Sequence, residues 1–378
     1  MRKIINPAMR TKVLESFGDN FKYHTNNFVE ILQKYAGGDN NFDLYTMVHS
    51  CTIDLVCENM LGYRLDIQKK GLIYYSTNLQ KSTEMIFDRS FSLPLWSDLI
   101  YVAVGKMKEL DATVKPMRDI CRKIVTERLK QKLCSQSEDI NNTDSVKNFM
   151  EIMLKNIQSG AVTKDQAVEE TIDMFFSGST TTAGIVSWVF QMLAMRPEIQ
   201  RRVHQEIVEN CNEDEIPTSD LSKLVYLEMV IKETLRHYTI PFILRHIDED
   251  LEVNEGTIIP AGMNVLLTTF NLHHDPKYWE RPGDFYPAHF SAENESKRRK
   301  GVFLPLSSGP RVCPGNKYAM MSMKYLIANT LLHYEFHTDR KPPADIQEED
   351  FNIVFVLCPT HGFSVRITDR DFRKSQQK

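Results

Sequence analysis

Apolar residues recur at three- and four-residue intervals along the first two-thirds of the chain. Leu44, Met47, Cys51 and Leu55 form one such stripe, and Gly62 follows it. Residues at this spacing share one face of an α-helix, and glycine readily adopts the left-handed conformation that ends a helix. The pattern therefore predicts an amphipathic helix that ends near Gly62.

Further periodic segments predict four more helices. They cover residues 106–133, with Pro116 kinking the helix or lying near its start, residues 165–195, residues 197–211, and the stripe formed by Leu224, Leu227, Ile231 and Leu235. Residues 135–146 are rich in Asn, Asp and Ser, which predicts a loop. The first two-thirds of the chain is therefore predicted to be mostly helical.

The hydrophobic period changes after Ile240. Residues 242–253, 257–259 and 264–270 are predicted to be short strands, because two glycine-containing turns interrupt them. The rest is predicted to contain a charged loop at residues 291–301, a final helix at residues 314–336, and a hairpin of residues 352–357 and 363–367 around a turn at residues 359–362. Together these elements predict one domain, residues 1–378, that is mainly α with small β-sheets in its last third.

One predicted helix contains a stretch that could be mistaken for a membrane span. Residues 174–195 carry no charge and are long enough to cross a bilayer. However, residues 177–182 read Ser-Gly-Ser-Thr-Thr-Thr, and Ser187 and Gln191 follow. Lipid would satisfy these polar groups poorly, so we expect a helix through a protein core instead.

Composition narrows the class of protein. Of the 378 residues, 42% are hydrophobic and 25% are charged, and the net charge is −4. These values exclude a wholly disordered chain and do not support a dedicated nucleic-acid binder, which is usually strongly basic. The seven cysteines are odd in number and form no C-x-x-C pair, so neither a disulfide framework nor a zinc knuckle is indicated.

The segment from Phe303 to Gly315 carries the most specific chemical signal. Cys313 lies between Gly309 and Gly315, which permit tight backbone geometry beside a flat ligand. Pro314 can begin a helix, and a cysteine at a helix N-terminus is stabilised as the thiolate. Arg311 can hold an anionic group by charge-assisted hydrogen bonds. The pattern indicates a loop that presents a thiolate to a metal. The alternative interpretation is that Cys313 is a buried structural cysteine between two turns.

The spacing Gly309-x-Arg311-x-Cys313-x-Gly315 resembles the haem-binding loop of the cytochrome P-450 superfamily. The resemblance implies the P-450 fold and haem b as the cofactor, with the Cys313 thiolate as the axial ligand of its iron. Gly309, Arg311 and Gly315 would then belong to the cofactor-binding loop.

Two further segments resemble the parts of this family that contact the haem propionates. Residues 241–245 resemble a strand whose arginine, here Arg245, contacts a propionate. Residues 2–8 resemble part of the family's helix C, in which Arg2 corresponds to a propionate-binding arginine. The tryptophan that precedes this arginine by four residues in the family would lie before Met1. The resemblance implies that Arg2, Arg245 and Arg311 pair with the propionates.

Residues 232–236 resemble the family's Glu-x-x-Arg motif, a buried pair that braces the core beside the haem. Glu233 and Arg236 would form this structural pair. Without the resemblance, the same two residues would be interpreted as a surface ion pair on one helix face. The family completes the network with an arginine, and here His289 stands in that place. A neutral histidine would bridge less well than a guanidinium group.

Residues 178–182 resemble the family's oxygen-activation motif. Thr181 corresponds to the threonine that helps to deliver protons, and Thr180 stands where an acidic residue is usual. Ser177 replaces a glutamate that forms an ester with haem in some members, so no covalent link is expected. The alternative is that these polar residues pack against a neighbouring helix.

The resemblance covers essentially the whole chain and is strongest to the family-4 clan, especially its insect branches. It begins inside the usual family sequence, so the membrane anchor, the first helices and the first strands of the main sheet have no counterpart. We therefore expect an N-terminally truncated chain with an unpaired sheet edge and weakened haem retention.

The leading hypothesis is a haem-thiolate monooxygenase that inserts one oxygen atom from O2 into a small apolar substrate, such as a fatty acid, a hormone-like lipid or a xenobiotic. The resemblance implies electrons from NADPH through a reductase, cytochrome b5 as an optional partner, and peripheral contact with the cytosolic face of the endoplasmic reticulum membrane. Lys317, Lys324 and the basic run at residues 297–300 would contribute to the reductase-binding face. One alternative is a truncated, inactive member that acts as a haem-binding or regulatory remnant, and another is a helical scaffold without haem.

Overall fold

Helices make up most of the chain. The computed structural model describes residues 2–134, 148–211, 216–343, 351–354 and 356–370. Within these ranges the α-helices are α1 Arg2–Ile5, α2 Thr11–Glu15, α3 Gly18–Leu32, α4 Tyr45–Leu61, α5 Ile67–Lys70, α6 Tyr74–Phe91, α7 Asp98–Ala103, α8 Lys106–Cys134, α9 Phe149–Gln158, α10 Lys164–Met195, α11 Pro197–Asn210, α12 Val225–Tyr238, α13 Thr269–His273, α14 Ala292–Lys297 and α15 Asn316–His333.

The strands are short and pair in small antiparallel sheets. They are β1 Phe42–Asp43, β2 Ile243–His246, β3 Leu251–Asn254, β4 Thr257–Ile259, β5 Asn264–Leu267, β6 Tyr334–His337, β7 Phe351–Val354, β8 Val356–Pro359 and β9 Ser364–Asp369. Strand β9 lies between β1 and β6 in a three-stranded sheet, while β2 pairs with β5, β3 with β4, and β7 with β8. The fold is therefore mainly helical with small sheets that are concentrated in the C-terminal part.

The long helix α10 forms the centre of the core. It begins with a capping box, in which the Thr163 hydroxyl accepts a hydrogen bond from the Gln166 N–H at 3.1 Å and the Gln166 side chain accepts one from the Thr163 N–H at 2.9 Å. Every residue from 182 to 195 is buried. Within the described ranges no helix is both long enough and apolar enough to span a membrane.

Glycine positions let neighbouring elements approach α10 closely. A Cβ atom at Gly178 would lie 3.0 Å from Val56 on α4, and one at Gly184 would overlap the Val356 side chain on β8. The Trp188 indole N–H donates to the Leu357 carbonyl at 2.6 Å. Helix α10 is therefore packed tightly against both α4 and β8.

Most of the predicted helices are confirmed. The predicted helix that ends near Gly62 is α4, and Gly62 has a φ of 61°, the left-handed conformation of a C-terminal cap. Pro116 lies inside α8, as expected for a helix of residues 106–133. The predictions for residues 165–195, 197–211 and 224–235 correspond to α10, α11 and α12. The predicted loop at residues 135–146 falls outside the described residues.

Several local predictions are wrong or need correction. Residues 291–301 are not simply a loop, because Ser291 accepts from the Asn294 N–H at 3.3 Å and caps the short helix α14. The final helix begins at Asn316 and ends at His333, after which Tyr334 and Phe336 are buried in β6. The prediction of a mainly helical chain with small sheets in its C-terminal part is confirmed, and the short strand β1, near the start of the chain, joins the sheet of β6 and β9.

The predicted hairpin of residues 352–357 and 363–367 is not formed. Strand β7 pairs with β8 instead, and β9 pairs with β1 and β6. In β9, Val365 and Ile367 are fully buried, and Ile367 lies opposite Phe336 of β6. Burial of this apolar face against the core therefore outweighs pairing with the strand that is nearest in sequence.

Candidate functional site

Residues 303–315, the Cys313 loop, contain a turn that is held by a hydrogen bond within the loop. The Cys313 N–H donates to the Leu306 carbonyl at 2.9 Å, and Ser307 and Gly309 have positive φ angles of 65° and 71°. Cys313 is half-buried, and α15 begins three residues later, two residues beyond Pro314. The loop therefore holds a cysteine close to the N-terminus of a long helix.

Opposing effects act on the Cys313 thiol. Burial raises its pKa, whereas a hydrogen bond from the Gly315 N–H and the positive charge of Arg2 act to lower it, and the net shift is upward. The sequence argument from the helix terminus alone therefore overstated how strongly the chain favours the thiolate. A metal cation at the sulfur would favour deprotonation, since metals bind the thiolate form.

The three arginines from the sequence argument meet at this loop. The Arg2 guanidinium donates to the Pro310 carbonyl at 2.9 Å, and the Arg245 guanidinium donates to the Ser307 hydroxyl at 2.5 Å. Arg311 belongs to the loop itself, in the short 3-10 turn Gly309–Arg311, and is exposed. Positions 2, 245 and 311 thus bring positive charge to one small region.

Glu233 and Arg236 form a fully buried ion pair on α12. Two guanidinium nitrogens of Arg236 donate to the two carboxylate oxygens of Glu233 at 3.0 and 2.8 Å. Burial acts to raise the pKa of Glu233, but Arg236 and two neighbouring histidines outweigh it and hold the pKa well below its usual value. The pair is an interior feature and not a surface contact.

His289 completes this group, which we call the buried ion-pair cluster (Glu233, Arg236 and His289). Its Nδ1 atom lies 3.2 Å from both carboxylate oxygens of Glu233, and its Nε2 atom faces the Glu280 carbonyl. Both ring nitrogens therefore face oxygen acceptors. The structure thus places His289 beside Glu233 in the interior.

His273 links the buried ion-pair cluster to the Cys313 loop, and the sequence analysis missed it. Its Nδ1 atom lies 3.1 Å from the Arg236 carbonyl oxygen, and its Nε2 atom accepts a hydrogen bond from the Leu304 N–H at 2.9 Å. Burial lowers the pKa of His273 to about 4. The neutral ring, with its proton on Nδ1, therefore satisfies both backbone groups.

The two threonines of α10 occupy different surroundings. Thr181 is half-buried, and its hydroxyl donates to the Ser177 carbonyl at 3.0 Å. Thr180 is only 1% exposed, and its hydroxyl lies 3.3 Å from Nε2 of His49 on α4. His49 is a second residue that the sequence analysis missed, because nothing local distinguishes it from any other buried histidine.

Two of the cations assigned to the reductase-binding face are held by other contacts. Lys324 donates to the Leu221 carbonyl at 2.8 Å and pairs with Glu228 at 2.7 Å, with only 5% of its side chain exposed. The Arg298 guanidinium lies 4.4 Å from the centre of the Trp279 ring and is half-buried. Both have structural roles, whereas Lys317, at the start of α15, is exposed.

Comparison with known proteins places this chain in a family. The family model described as "Cytochrome P450" matches residues 1–365. The chain belongs to the cytochrome P450 family. Cytochrome P450s bind haem b through a cysteine thiolate, so haem b is the cofactor and the activity is that of a monooxygenase.

Individual relatives point to family 4. The chain is 28% identical to "Cytochrome P450 4V2" of Mus musculus over 98% of its own length and 71% of that protein. It is 31% identical to "Cytochrome P450 4d2" of Drosophila melanogaster, over 88% of the chain and 69% of that protein. With "Cytochrome P450 4c21" of Blattella germanica it shares 29% identity, over 98% of the chain and 74% of that protein. It is therefore a family-4-like P450, with relatives in both insects and mammals.

The residues around Cys313 fit a haem group. A Cβ atom at Gly315 would lie 3.9 Å from the Cys313 sulfur, so the glycine leaves that side of the sulfur free of a side chain. Haem needs an axial ligand for its iron and partners for its two carboxylates. The half-buried Cys313 sulfur is a soft ligand that suits the iron, and the guanidinium groups at the same loop suit the carboxylates.

Proposed function

We propose that Cys313 is the axial thiolate ligand and that Arg2, Arg245 and Arg311 pair with the haem propionates. The observation that carries this proposal is the convergence of Arg2 and Arg245, from distant parts of the sequence, on the loop that contains Cys313. Gly309 and Gly315 would shape the loop around the cofactor. When bound, haem supplies the chemistry that activates O2 for insertion into a C–H bond.

The protein's own residues would brace and serve this group. The buried ion-pair cluster, joined to Leu304 through His273, would hold the start of the Cys313 loop in place. Thr181, on the less buried side of α10, would support proton transfer, with Thr180 behind it. Because Thr180 replaces the usual acid, protons would reach the site through hydroxyl groups and water.

The substrate would be a small apolar molecule, such as a fatty acid, a hormone-like lipid or a xenobiotic. NADPH would supply electrons through a separate reductase, with cytochrome b5 as an optional partner. Arg311, within the Cys313 loop, and Lys317, just after it, are exposed cations that suit an acidic docking partner. Lys324 and Arg298 do not belong to this face, for the reasons given above.

An exposed apolar segment supports peripheral membrane contact. The membrane would be that of the endoplasmic reticulum, on its cytosolic face, as the family resemblance implies. The segment runs from the end of α6 through α7 and exposes 57–84% of each of these side chains: Phe91, Leu93, Trp96, Leu99, Val102 and Val104. Soluble surfaces rarely expose so many large apolar groups within one short segment, and such patches mark protein or membrane contacts. Trp96 also suits the interface between lipid and water.

A carbon monoxide spectrum tests the ligand assignment. The chain, expressed with a haem supply, reduced and exposed to carbon monoxide, should show the red-shifted Soret band of a thiolate ligand. Cys313→Ala should abolish this band, and Cys211→Ala, which removes another cysteine remote from the loop, should preserve it. An unchanged band in Cys313→Ala would refute the assignment.

Reconstitution tests the reaction. Purified chain, reductase, NADPH and O2 would be incubated with a fatty acid, a terpenoid hormone analogue or an apolar xenobiotic, and oxygenated products would be identified by mass spectrometry. A hydroxylated product that requires NADPH supports the proposal. Bound haem with a thiolate-type spectrum but no product from any class would instead favour the inactive remnant.

A further inference from the structure

The hydroxyl groups in the middle of α10 follow one pattern with a single departure. Ser177, Ser179, Thr181 and Thr182 each donate to the carbonyl four residues earlier, at 2.6, 2.7, 3.0 and 3.1 Å. Such bonds are the ordinary way for a helix to satisfy Ser and Thr. Thr180 differs, because its hydroxyl is directed away from its own helix, to Nε2 of His49 at 3.3 Å.

His49 has a second partner on a third helix. Its Nδ1 atom lies 2.9 Å from the Ser76 hydroxyl of α6. His49 is 0% exposed, and Thr180 and Ser76 are each 1% exposed. The three side chains therefore form a buried hydrogen-bonded chain, Thr180–His49–Ser76, that joins α10, α4 and α6.

The chain of hydrogen bonds is satisfied by a neutral ring. Burial lowers the pKa of His49 to about 3, so the imidazole carries one proton at neutral pH. One ring nitrogen donates and the other accepts, and a hydroxyl can serve either nitrogen. A buried polar chain that is fully satisfied specifies one arrangement of the helices that it joins.

A close contact between α10 and α4 lies near this hydrogen bond. A Cβ atom at Gly178 would be 3.0 Å from Val56, so the two helices are in contact two residues before Thr180. A rotation of α10 about its axis would break both the glycine contact and the hydrogen bond to His49. These two contacts therefore fix which side of α10 each threonine occupies.

We infer that His49 is a positioning residue, which holds the Thr180 hydroxyl on the α4 side of α10 and thereby keeps Thr181 on the less buried side. The inference deepens the proposed function, on which it rests for the role of Thr181 in proton transfer. It also assigns a partner to the position that family members fill with an acid, namely a neutral imidazole on a neighbouring helix.

Two substitutions of His49 separate its two contacts. The amide of His49→Gln reaches as far as Nε2 and can keep the bond to Thr180, whereas the amide of His49→Asn reaches only as far as Nδ1 and can keep the bond to Ser76. Each would be combined with Thr180→Val, which removes the hydroxyl at constant shape. Thr182→Val serves as the matched control, because the Thr182 hydroxyl bonds within α10.

Urea unfolding of the full chain provides the first measurement. Thr180→Val should change the unfolding equilibrium constant at least about fivefold in the wild type and in His49→Gln, and much less in His49→Asn. Thr182→Val should have the same effect in all three backgrounds. If the effect of Thr180→Val is equal in all three, the contact has no energetic role and the inference fails.

A second measurement tests positioning, which stability alone would not report. In the reconstituted system each O2 that takes two electrons from NADPH and two protons without reaching substrate leaves as hydrogen peroxide. His49→Asn should raise the peroxide released per NADPH several-fold, and His49→Gln should restore it towards the wild-type value. Equal ratios in all three proteins would reduce His49 to a packing residue and overturn the inference.

The two measurements also separate this inference from the proposed function. If the wild type binds no haem, the proposed function fails, yet the unfolding series still shows whether His49 and Thr180 are coupled. A third variant, Thr180→Asp, places the family's acid beside the ring and should raise the pKa of His49, measured by nitrogen-15 NMR of labelled histidine. No change in that pKa would show that position 180 does not face His49.

Discussion

The buried ion-pair cluster and the Cys313 loop are joined through His273, yet they are built in opposite ways. Glu233 and Arg236 are fully buried, and their charged atoms are held by side chains and by the carbonyls of His273, Pro282 and Asp284. Cys313 is only half-buried and Arg311 is exposed. The protein alone therefore satisfies the cluster, whereas the loop leaves a half-buried sulfur and an exposed cation, which the proposed function assigns to haem.

This difference predicts that the two regions respond to different measurements. Variants of the cluster should change the free energy of unfolding of the chain itself. Variants of the exposed part of the loop should change retention of haem and leave that free energy nearly constant. Substitutions in each region therefore test this division of roles between the cluster and the loop.

Glu233→Gln should destabilise the chain most. The substitution removes the carboxylate and leaves the fully buried Arg236 guanidinium without its charged partner. Loss of one member of a buried ion pair typically costs about 3–5 kcal/mol. Glu295→Gln is the control, because Glu295 pairs with Lys232 near the surface and should contribute about 1 kcal/mol or less. Similar unfolding midpoints in urea for the two variants would contradict the claim that the buried ion-pair cluster stabilises the fold.

His289→Leu should have the next largest effect. It removes the contacts to the Glu233 carboxylate and the Glu280 carbonyl, and leaves both acceptors with fewer donors. A buried polar group that loses its partner costs about 1–3 kcal/mol. The matched control is His246→Leu, since His246 is exposed on β2. A loss for His289→Leu no larger than that for the control would show that the histidine does not complete the cluster.

The sequence could predict this cluster only in part. Glu233 and Arg236 are three residues apart on a strongly periodic helix, so their proximity follows from helix geometry alone. His289 was found through a family resemblance and not through any local pattern. His273 and His49 were missed, because the identity of their partners depends on how helices and loops from distant parts of the sequence pack together.

The fold shows the same limit. Helices such as α4 and α10 carry their signal in local periodicity and caps, and their bounds were predicted to within one or two residues. The pairing of β9 with β1 joins residues more than 300 positions apart, as in Val365 opposite Phe42. No local pattern records such a partner, so the nearer but incorrect hairpin was predicted instead.

A pH series tests the link between the two regions. His273 has a pKa of about 4 in the folded chain, below the ordinary value of 6.5, so below pH 6.5 the unfolded chain binds a proton that the folded chain does not. Its contribution to stability is therefore complete above pH 6.5 and falls as the solution is acidified towards pH 4. At pH 5.5 the loss should be about 1.4 kcal/mol.

The variant for this series is His273→Gln, whose amide can serve the Arg236 carbonyl and the Leu304 N–H without titrating. Urea unfolding between pH 7.5 and 5.5 should show a shallower dependence for the variant than for the wild type. Subtracting the two curves removes the contributions of the other buried histidines. Parallel curves would mean that His273 does not remain neutral between the cluster and the loop.

The smallest effect on stability should come from Arg311→Ala. This variant tests the Cys313 loop, the second of the two regions compared. The side chain is exposed, so the free energy of unfolding of the haem-free chain should change by less than about 0.5 kcal/mol. If Arg311 pairs with a propionate, loss of one charge-assisted hydrogen bond should speed transfer of haem to apomyoglobin by about tenfold. Lys317→Ala, which removes a neighbouring exposed cation outside the loop, should leave that transfer rate unchanged. If Arg311→Ala destabilises the chain without speeding haem transfer, the prediction is wrong, because Arg311 would then stabilise the fold and not retain haem.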